Sequence, residues 1–467
     1  MTVPFTLKDV VTWTGGQALG RAPAGAFTGA GIDTRTIQAG DLFVAIRGEH
    51  HDAHGFLDQA VAAGATGLVV ARDWLRANPR SQDVPMVAVE DTTLALGSLA
   101  AGHRAQFAGP VVAVTGSNGK TTTKEMIHSI LVVRAPCLKN HGNLNNEFGL
   151  PLTLLSRERE HQAAVVELGM NHRGEIARLT AIAQPDVGVI TNVGTAHIEH
   201  LGSRENIALE KGDLTAGLSA EGVAVLNHDD PLVRQQSERT PARVVTYGRE
   251  SAADVFARGV RFEEGGFYAF ELITPEASIA VRAAGLAETT VINALAASAA
   301  ALATGLELDE VACGLAAFGG VSGRMACTQL ASGARIIDDT YNANPQSMRN
   351  ALESLARLKG KGRGIAVLGD MGELGEAASE AHLATGRLAA ELGTDFLFAL
   401  GERAKGFAAG ASEAGMDGEN IVVGDSHEAV GRHIMEMLES EDWVLVKGSR
   451  AMKMEQVIDM LIGKEND

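Results

Sequence analysis

Short apolar runs recur along the chain, and most are followed by a stretch in which apolar residues return every three to four positions, the mark of a strand followed by an amphipathic helix. Asp41-Leu-Phe-Val-Ala-Ile46 precedes a helical pattern over 56–63, and Gly67-Leu-Val-Val-Ala71 comes next. The polar stretch Asn78-Pro-Arg-Ser-Gln-Asp-Val-Pro85 reads as a linker. A helical pattern over 92–107 opens a second block, with buried-strand candidates at 111–115, 163–166 and 186–191. Between about 222 and 285, turns separate short strands such as Gly266-Phe-Tyr-Ala-Phe-Glu-Leu-Ile273, which predicts antiparallel sheet, and an alanine-rich helix over 291–304 follows. After Gly319-Gly320, strands at 334–338, 364–368, 395–400, 420–423 and 443–446 alternate with helical patterns such as 347–358.

This alternation predicts an α/β protein of three domains. A small α/β domain spans 1–88, and a central P-loop mononucleotide-binding α/β domain with an added antiparallel sheet spans 89–320. A doubly wound, Rossmann-like domain spans 321–467, a fold in which ligands sit at the carboxyl ends of the strands. The length of 467 residues agrees with three domains.

Composition narrows the function. With 40 Lys plus Arg against 58 Asp plus Glu the net charge is −18, which speaks against nucleic acid or an anionic lipid surface as partner. The longest apolar run, 291–303, is interrupted by Asn293 and Ser298 and is shorter than the ~20 residues a bilayer span needs, so no membrane association is expected. Three cysteines make no disulfide framework. The start, MTVPFTLKDVV, does not read as a signal peptide. A cytoplasmic location is the expectation. The 54 glycines exceed the usual ~7% and imply many tight turns or backbone approaches to ligand.

The strongest local motif is Val111-Val-Ala-Val-Thr-Gly116-Ser-Asn-Gly119-Lys120-Thr121-Thr122-Thr123. A strand enters a glycine loop and leaves as a helix. Gly116 and Gly119 let backbone N–H groups turn toward phosphate oxygens without a Cβ in the way, and the helix N-terminus adds a favourable dipole. Lys120 is placed to reach the outer phosphates, and the Thr121 hydroxyl is placed to ligate Mg²⁺. The eight-residue form of this loop begins with glycine; Val114 stands there, leaving the shorter GxxGK[ST]. ATP binding follows. Glu167 and His197 lie at or just past strand ends on the same predicted edge, which suits Mg²⁺ ligation. Taken singly, a strand-end Glu is more often a surface residue or helix cap, and a lone His is more often structural. Lys211, within Leu209-Glu-Lys-Gly-Asp213, by itself reads as a solvated helix charge.

These residues resemble the Mur ligases, the ATP-dependent amide-forming enzymes of peptidoglycan precursor synthesis. The similarity lies in Thr115-Gly-Ser-Asn-Gly-Lys-Thr-Thr-Thr123, Gly142-Asn-Leu-Asn-Asn-Glu-Phe-Gly-Leu-Pro151, Asp338-Asp-Thr-Tyr-Asn-Ala-Asn-Pro345, Gly369-Asp-Met-Gly-Glu-Leu-Gly375 and Val446-Lys-Gly-Ser-Arg450. Asp33-Thr-Arg35, Gly40-Asp-Leu-Phe-Val-Ala-Ile-Arg-Gly48 and Asp52-Ala-His-Gly-Phe56 fit as well, so the matches run through all three blocks in order. The 338–345 stretch resembles the branch that adds D-alanyl-D-alanine to UDP-N-acetylmuramoyl-tripeptide.

The resemblance implies roles. Gly116, Ser117, Asn118, Gly119, Lys120, Thr121 and Thr122 would hold the triphosphate, and Thr121, Glu167, His197 and Lys211 would hold Mg²⁺. Lys211 occupies the place of a lysine that CO₂ converts to a carbamate, which requires a neutral amine. Asn293 would contact adenine, Arg324 would reach across to the phosphates, and Asp339, Tyr341 and Asn342 would lie near ribose and adenine. Asp33, Thr34, Arg35, Ala45, Ile46, Arg47 and Gly48 would hold the uridine diphosphate end of the substrate, and Asn143, Asn145 and Asn146 would meet the rest of it. Thr289-Thr290 replaces the His-Asn usual before Asn293. The partners are small molecules, and a monomer is expected. Lys120, Glu167, His197, Lys211 and Arg324 would carry catalysis, largely by positioning and charge neutralisation. A sister ligase adding one amino acid, a P-loop kinase or hydrolase, and a nucleotide-gated switch are the competing readings.

Overall fold

Alternation along the buried strands sets the layering. In Val111–Thr115, Val111 and Ala113 enter one core while Val112 and Val114 enter another, and the same split separates Val166 from Val165 and Ile190 from Val189. Successive strand side chains point to opposite faces, so strands apolar on both sides need helices on both. Helices Thr92–Arg104, Gly149–Leu155, Glu175–Ala183 and Arg204–Ala216 cover the first face. Helices Lys120–Leu131, Thr289–Ala303 and Leu308–Ala317 cover the second.

The computed structural model describes residues 2–20, 25–48, 51–79 and 84–463, which form three sheets. The N-terminal sheet has the spatial order Gln17–Leu19, Met86–Val89, Gly67–Ala71, Asp41–Val44, Gly29–Gly31 and is parallel apart from its first strand. Because Met86–Val89 pairs inside this sheet, the chain is still in the first unit after residue 85, and the linker expected over 78–85 does not separate the first unit from the second; 80–83 lie outside the described residues. Leu42, Val44, Val69 and Val87 of this sheet share one core with Thr92–Arg104, so the first two units meet without a gap.

The central sheet has nine strands. Here the antiparallel prediction over 222–285 needs correction. Val223–Asn227 and Arg243–Gly248 extend the parallel sheet, because Val223 and Val225 enter one core and Ala224 and Leu226 the other. Only Val255–Glu263, Phe267–Ile273 and Ser278–Ala284 pair antiparallel, and they continue the same sheet instead of forming an added one.

The C-terminal sheet has six strands, five of them parallel, with Ala326–Gln329 antiparallel at its edge. Ile337, Ala366, Leu397 and Leu445 face one helical layer, and Ile336, Ile365, Phe398 and Val444 face the other, as the doubly wound prediction requires. Arg357, near the end of Pro345–Leu358, fastens this unit to the central one. Its guanidinium donates to the Tyr268 hydroxyl and the Leu286 carbonyl and lies 4.7 Å from the Phe262 ring centroid.

Candidate active site

Register aligns the chemistry along one edge of the central sheet. Val114 stands level with Glu167, Thr115 with Ile190, and Leu226 with Ile190, so Glu167, the loop after Thr115, Asn192 and Asn227 end side by side. In the C-terminal sheet Asp339 stands level with Lys447, and Lys447 with Leu368. The two edges face each other across a cleft of about 1230 Å³. Ser117, Asn118, Gly119, Lys120 and Thr122 line it from one side, and Arg324, Asp339, Tyr341 and Asn342 from the other.

The loop needs its glycines. Gly116 has φ +149°, and a Cβ there would lie 1.8 Å from Thr191 Oγ1. Gly119 has φ +80° at the N-cap of Lys120–Leu131. Asn192 clamps the backbone between them: its Oδ1 accepts from Asn118 N at 2.9 Å and its Nδ2 donates to Asn118 O at 2.9 Å. Thr191 Oγ1 donates to the same carbonyl at 2.7 Å. Lys120 Nζ donates to Gly116 O at 2.9 Å, curled over the loop as it would curl over a phosphate. Burial, with Arg324 nearby, lowers the Lys120 pKa, against the pull of Glu167 and Glu373.

Thr121 Oγ1 donates to Glu167 Oε2 at 2.6 Å, and Asn145 Nδ2 donates to Glu167 Oε1 at 2.9 Å. Asn140 grips the Glu167 backbone from both sides, accepting from its N–H and donating to its carbonyl. A hydroxyl and a carboxylate at the mouth of a phosphate loop are hard oxygen donors of the kind Mg²⁺ takes, its other positions going to phosphate and water. Among the described residues no group of three or more His, Cys, Asp or Glu gathers as a metal cluster. His197 lines the cleft, but its Nδ1 sits 2.6 Å from Glu373 Oε2 of the C-terminal unit, and both residues have left-handed backbones. His197 is the largest cause of a lowered Glu373 pKa.

Lys211 departs from its reading as a solvated charge. It is 1% exposed, lines the cleft, and burial together with the positive Lys120 drives its pKa well below the ordinary lysine value. The fold therefore makes the charged form of this amine costlier than it is in water.

From the C-terminal side, the Arg324 guanidinium stacks on Tyr341 at 4.1 Å. Lys447, buried, pairs with Asp339 at 2.5 Å and donates to Asn342 O at 2.9 Å. Asn293 projects from the alanine-rich helix Thr289–Ala303 to the loop, where a Cβ on Gly119 would lie 2.5 Å from its Oδ1. Thr289 and Thr290 line the cleft beside it.

The structure splits the remaining predicted residues. Asn143, Asn145 and Asn146 line the cleft. Asp33, Thr34, Arg35, Ala45, Ile46, Arg47 and Gly48 do not; they follow the neighbouring parallel strands Gly29–Gly31 and Asp41–Val44 and so share a separate edge. There Arg35 pairs with Asp33, holding its carboxyl down at about 2, and Arg47 makes a bidentate contact with Asp73. Ala45 is fully buried. Gly116 and Thr121 do not line the cleft themselves, but each is next in sequence to residues that do. Sequence reasoning assigned no site role to Asn140, Asn192, Asn344, Glu373 or Lys447, although the last three fall within motifs that carry the family resemblance. Asn192 and Lys447 each follow a predicted strand directly, a signal that strand-end position alone could have supplied.

Comparison with known proteins agrees with this geometry. Residues 26–104 match the Mur ligase family catalytic domain, 114–301 the Mur ligase middle domain, and 323–450 the Mur ligase glutamate ligase domain. The chain is 38% identical to the UDP-N-acetylmuramoyl-tripeptide–D-alanyl-D-alanine ligase of Escherichia coli, over 92% of each chain. It is 34% identical to the enzyme of that name from Bacillus subtilis, over 93% of each. Its fold is similar to the crystal structure of MurF from Acinetobacter baumannii, with a TM-score of 0.89 at 36% identity, covering 98% of this chain and 99% of that one. It is also similar to Thermotoga maritima MurF ligase in complex with ADP, with a TM-score of 0.83 at 29% identity, covering 94% and 98%. The phosphate loop, the facing C-terminal edge and matches through all three units have one common explanation: the chain belongs to the Mur ligase family.

Proposed function

We propose that this chain is an ATP-dependent ligase that joins D-alanyl-D-alanine to UDP-N-acetylmuramoyl-tripeptide through an amide bond, releasing ADP and phosphate. The observation that carries the reading is the cleft itself, where a phosphate loop on one unit faces Arg324 and Lys447 on another. Similarity through most of the chain to enzymes of that name selects the substrates.

A carboxylate and an amine do not condense at neutral pH, because oxide is not a leaving group. Transfer of the γ-phosphoryl group to the tripeptide carboxylate makes an acyl phosphate; the dipeptide amine then adds to its carbonyl and phosphate departs. Lys120 and the loop N–H groups hold the phosphates, Arg324 approaches from the opposite wall, and Asn293, Asp339, Tyr341 and Asn342 border the nucleoside. Thr121, Glu167, His197 and Lys211 are the candidate holders of Mg²⁺, which when bound neutralises charge on the transferring phosphoryl group. Lys211, as the neutral amine, would add CO₂ to give a carbamate and release a proton, turning a buried cation into an anion. Residues 1–88 would hold the uridine diphosphate end at the edge formed by Asp33 and Arg47, 89–320 the ATP, and 321–467 would close on it. We expect a cytoplasmic monomer.

Purified protein given ATP, Mg²⁺ and UDP-N-acetylmuramoyl-tripeptide should release phosphate only when D-alanyl-D-alanine is added. Equal release without an amine would overturn the ligase reading in favour of a hydrolase or switch. A single amino acid that replaces the dipeptide would favour a sister ligase.

A further inference from the structure

One hydrogen bond joins the C-terminal unit directly to the phosphate loop: Asn344 Nδ2 donates to Asn118 Oδ1 at 2.8 Å. Both ends of it are fixed by other bonds. Asn344 is the N-cap of Pro345–Leu358, and its Oδ1 accepts from Ser347 N at 2.9 Å, while Ser347 Oγ accepts from Asn344 N at 3.0 Å. Capping uses the oxygen of this amide and orients its nitrogen outward. On the other side, the Asn118 N–H and carbonyl are both taken by Asn192, so its side chain is the one arm left to face the other unit. Asn118 and Asn344 both line the cleft, with Gly119 and Lys120 next in sequence to Asn118.

We propose that Asn344 is a positioning residue that couples closure of the C-terminal unit to the conformation of the phosphate loop. When the unit is seated, its helix cap holds Asn118 and with it the loop N–H groups that would receive phosphate. When the unit swings away, the loop keeps only its attachments to the central sheet. The Glu373–His197 contact and Gly375 packed on Glu199, where a Cβ would lie 3.5 Å from Glu199 Cγ, place the same unit on the same edge at a second point. The coupling rests on the nucleotide-binding role of the loop proposed above. It adds that the loop is completed in part from the opposite domain.

The test separates the contact from the cap. Asn344→Ser retains a strong N-cap but is too short to reach Asn118. Its melting temperature should stay close to that of the parent, which shows that the helix is intact. In the full-length protein without substrates, amide hydrogen exchange in the 116–121 loop should quicken about 5- to 10-fold, near the low end of typical site-to-site coupling. Asn118→Ala should produce a similar change, and the double variant should exchange no faster than either single variant. In turnover, Asn344→Ser should lower kcat about as much with little change in the ATP KM, since Asn192 still holds the loop. Unchanged exchange in Asn344→Ser, or effects that multiply in the double variant, would overturn the coupling. The exchange readout needs no acceptor, so it stands even where the ligase assay fails.

Discussion

Replacing Gly116 by alanine should disable the phosphate loop by a route that can be followed atom by atom. The new methyl group would lie 1.8 Å from Thr191 Oγ1 and 3.2 Å from Asn192 N. Neither neighbour can give way freely, because Thr191 is 3% exposed and its hydroxyl donates to Asn118 O at 2.7 Å. Holding alanine at φ +149° costs about 1–3 kcal/mol, and turning the Thr191 hydroxyl away loses about 1 kcal/mol of hydrogen bonding. The sum is about 2–4 kcal/mol, or ~5–15 °C of melting temperature for a unit of this size. Differential scanning fluorimetry with and without ADP reads both consequences: a lower melting temperature, and loss of the upward shift that bound nucleotide gives. Thr191→Ala removes the clashing oxygen, so Gly116→Ala combined with Thr191→Ala should lose less than the two single changes added together. A Gly116→Ala protein that melts and responds to ADP like the parent would refute the steric argument. So would strict additivity in the double variant.

Lys211→Met should abolish phosphate release yet raise the melting temperature of the ligand-free protein, because a buried amine whose desolvation outweighs the pull of Glu210 and Glu167 is replaced by an apolar chain of similar length; a lowered melting temperature would count against the burial argument. Burial, reinforced by Lys139, lowers the His128 pKa to about 4. The unfolded chain therefore binds more protons between pH ~6.5 and ~4, and stability is lost as pH falls through that window. Urea midpoints at pH 7 and 4.5 should fall less in His128→Gln than in the parent. Lys447→Ala strands Asp339 without its partner and should cost about 3 kcal/mol in denaturant unfolding, whereas Lys447→Met with Asp339→Asn should recover much of that loss.

The phosphate loop was legible because its constraints are local. Two glycines at fixed spacing, a buried strand before them and a helix after them must act together within a dozen residues. The doubly wound third unit was legible for a similar reason, since each strand there is a short apolar run followed by a helical period. The stretch 222–285 was misread because Val223–Asn227 and Phe267–Ile273 look alike as short runs between turns. Only the direction of the neighbouring strand separates parallel from antiparallel pairing. Met86–Val89 was lost for the same reason: four apolar residues after a polar stretch do not say which sheet they join.

The chain by itself determined the three α/β units, the glycine loop, and the set of charged and amide side chains that its motifs gather at strand ends. Those are properties of spacing and polarity, which neighbours in sequence carry. Tertiary structure decided what each charge became. Lys211 has the same sequence context as any helix-surface lysine, and its depressed pKa exists only because the fold takes it out of water and places Lys120 near it. Asn344 reads as a helix cap until a loop more than two hundred residues away comes within 2.8 Å of its amide. Hydrogen bonds and electric fields act over a few ångströms, so the chemistry of this cleft was settled when the central and C-terminal edges were brought face to face.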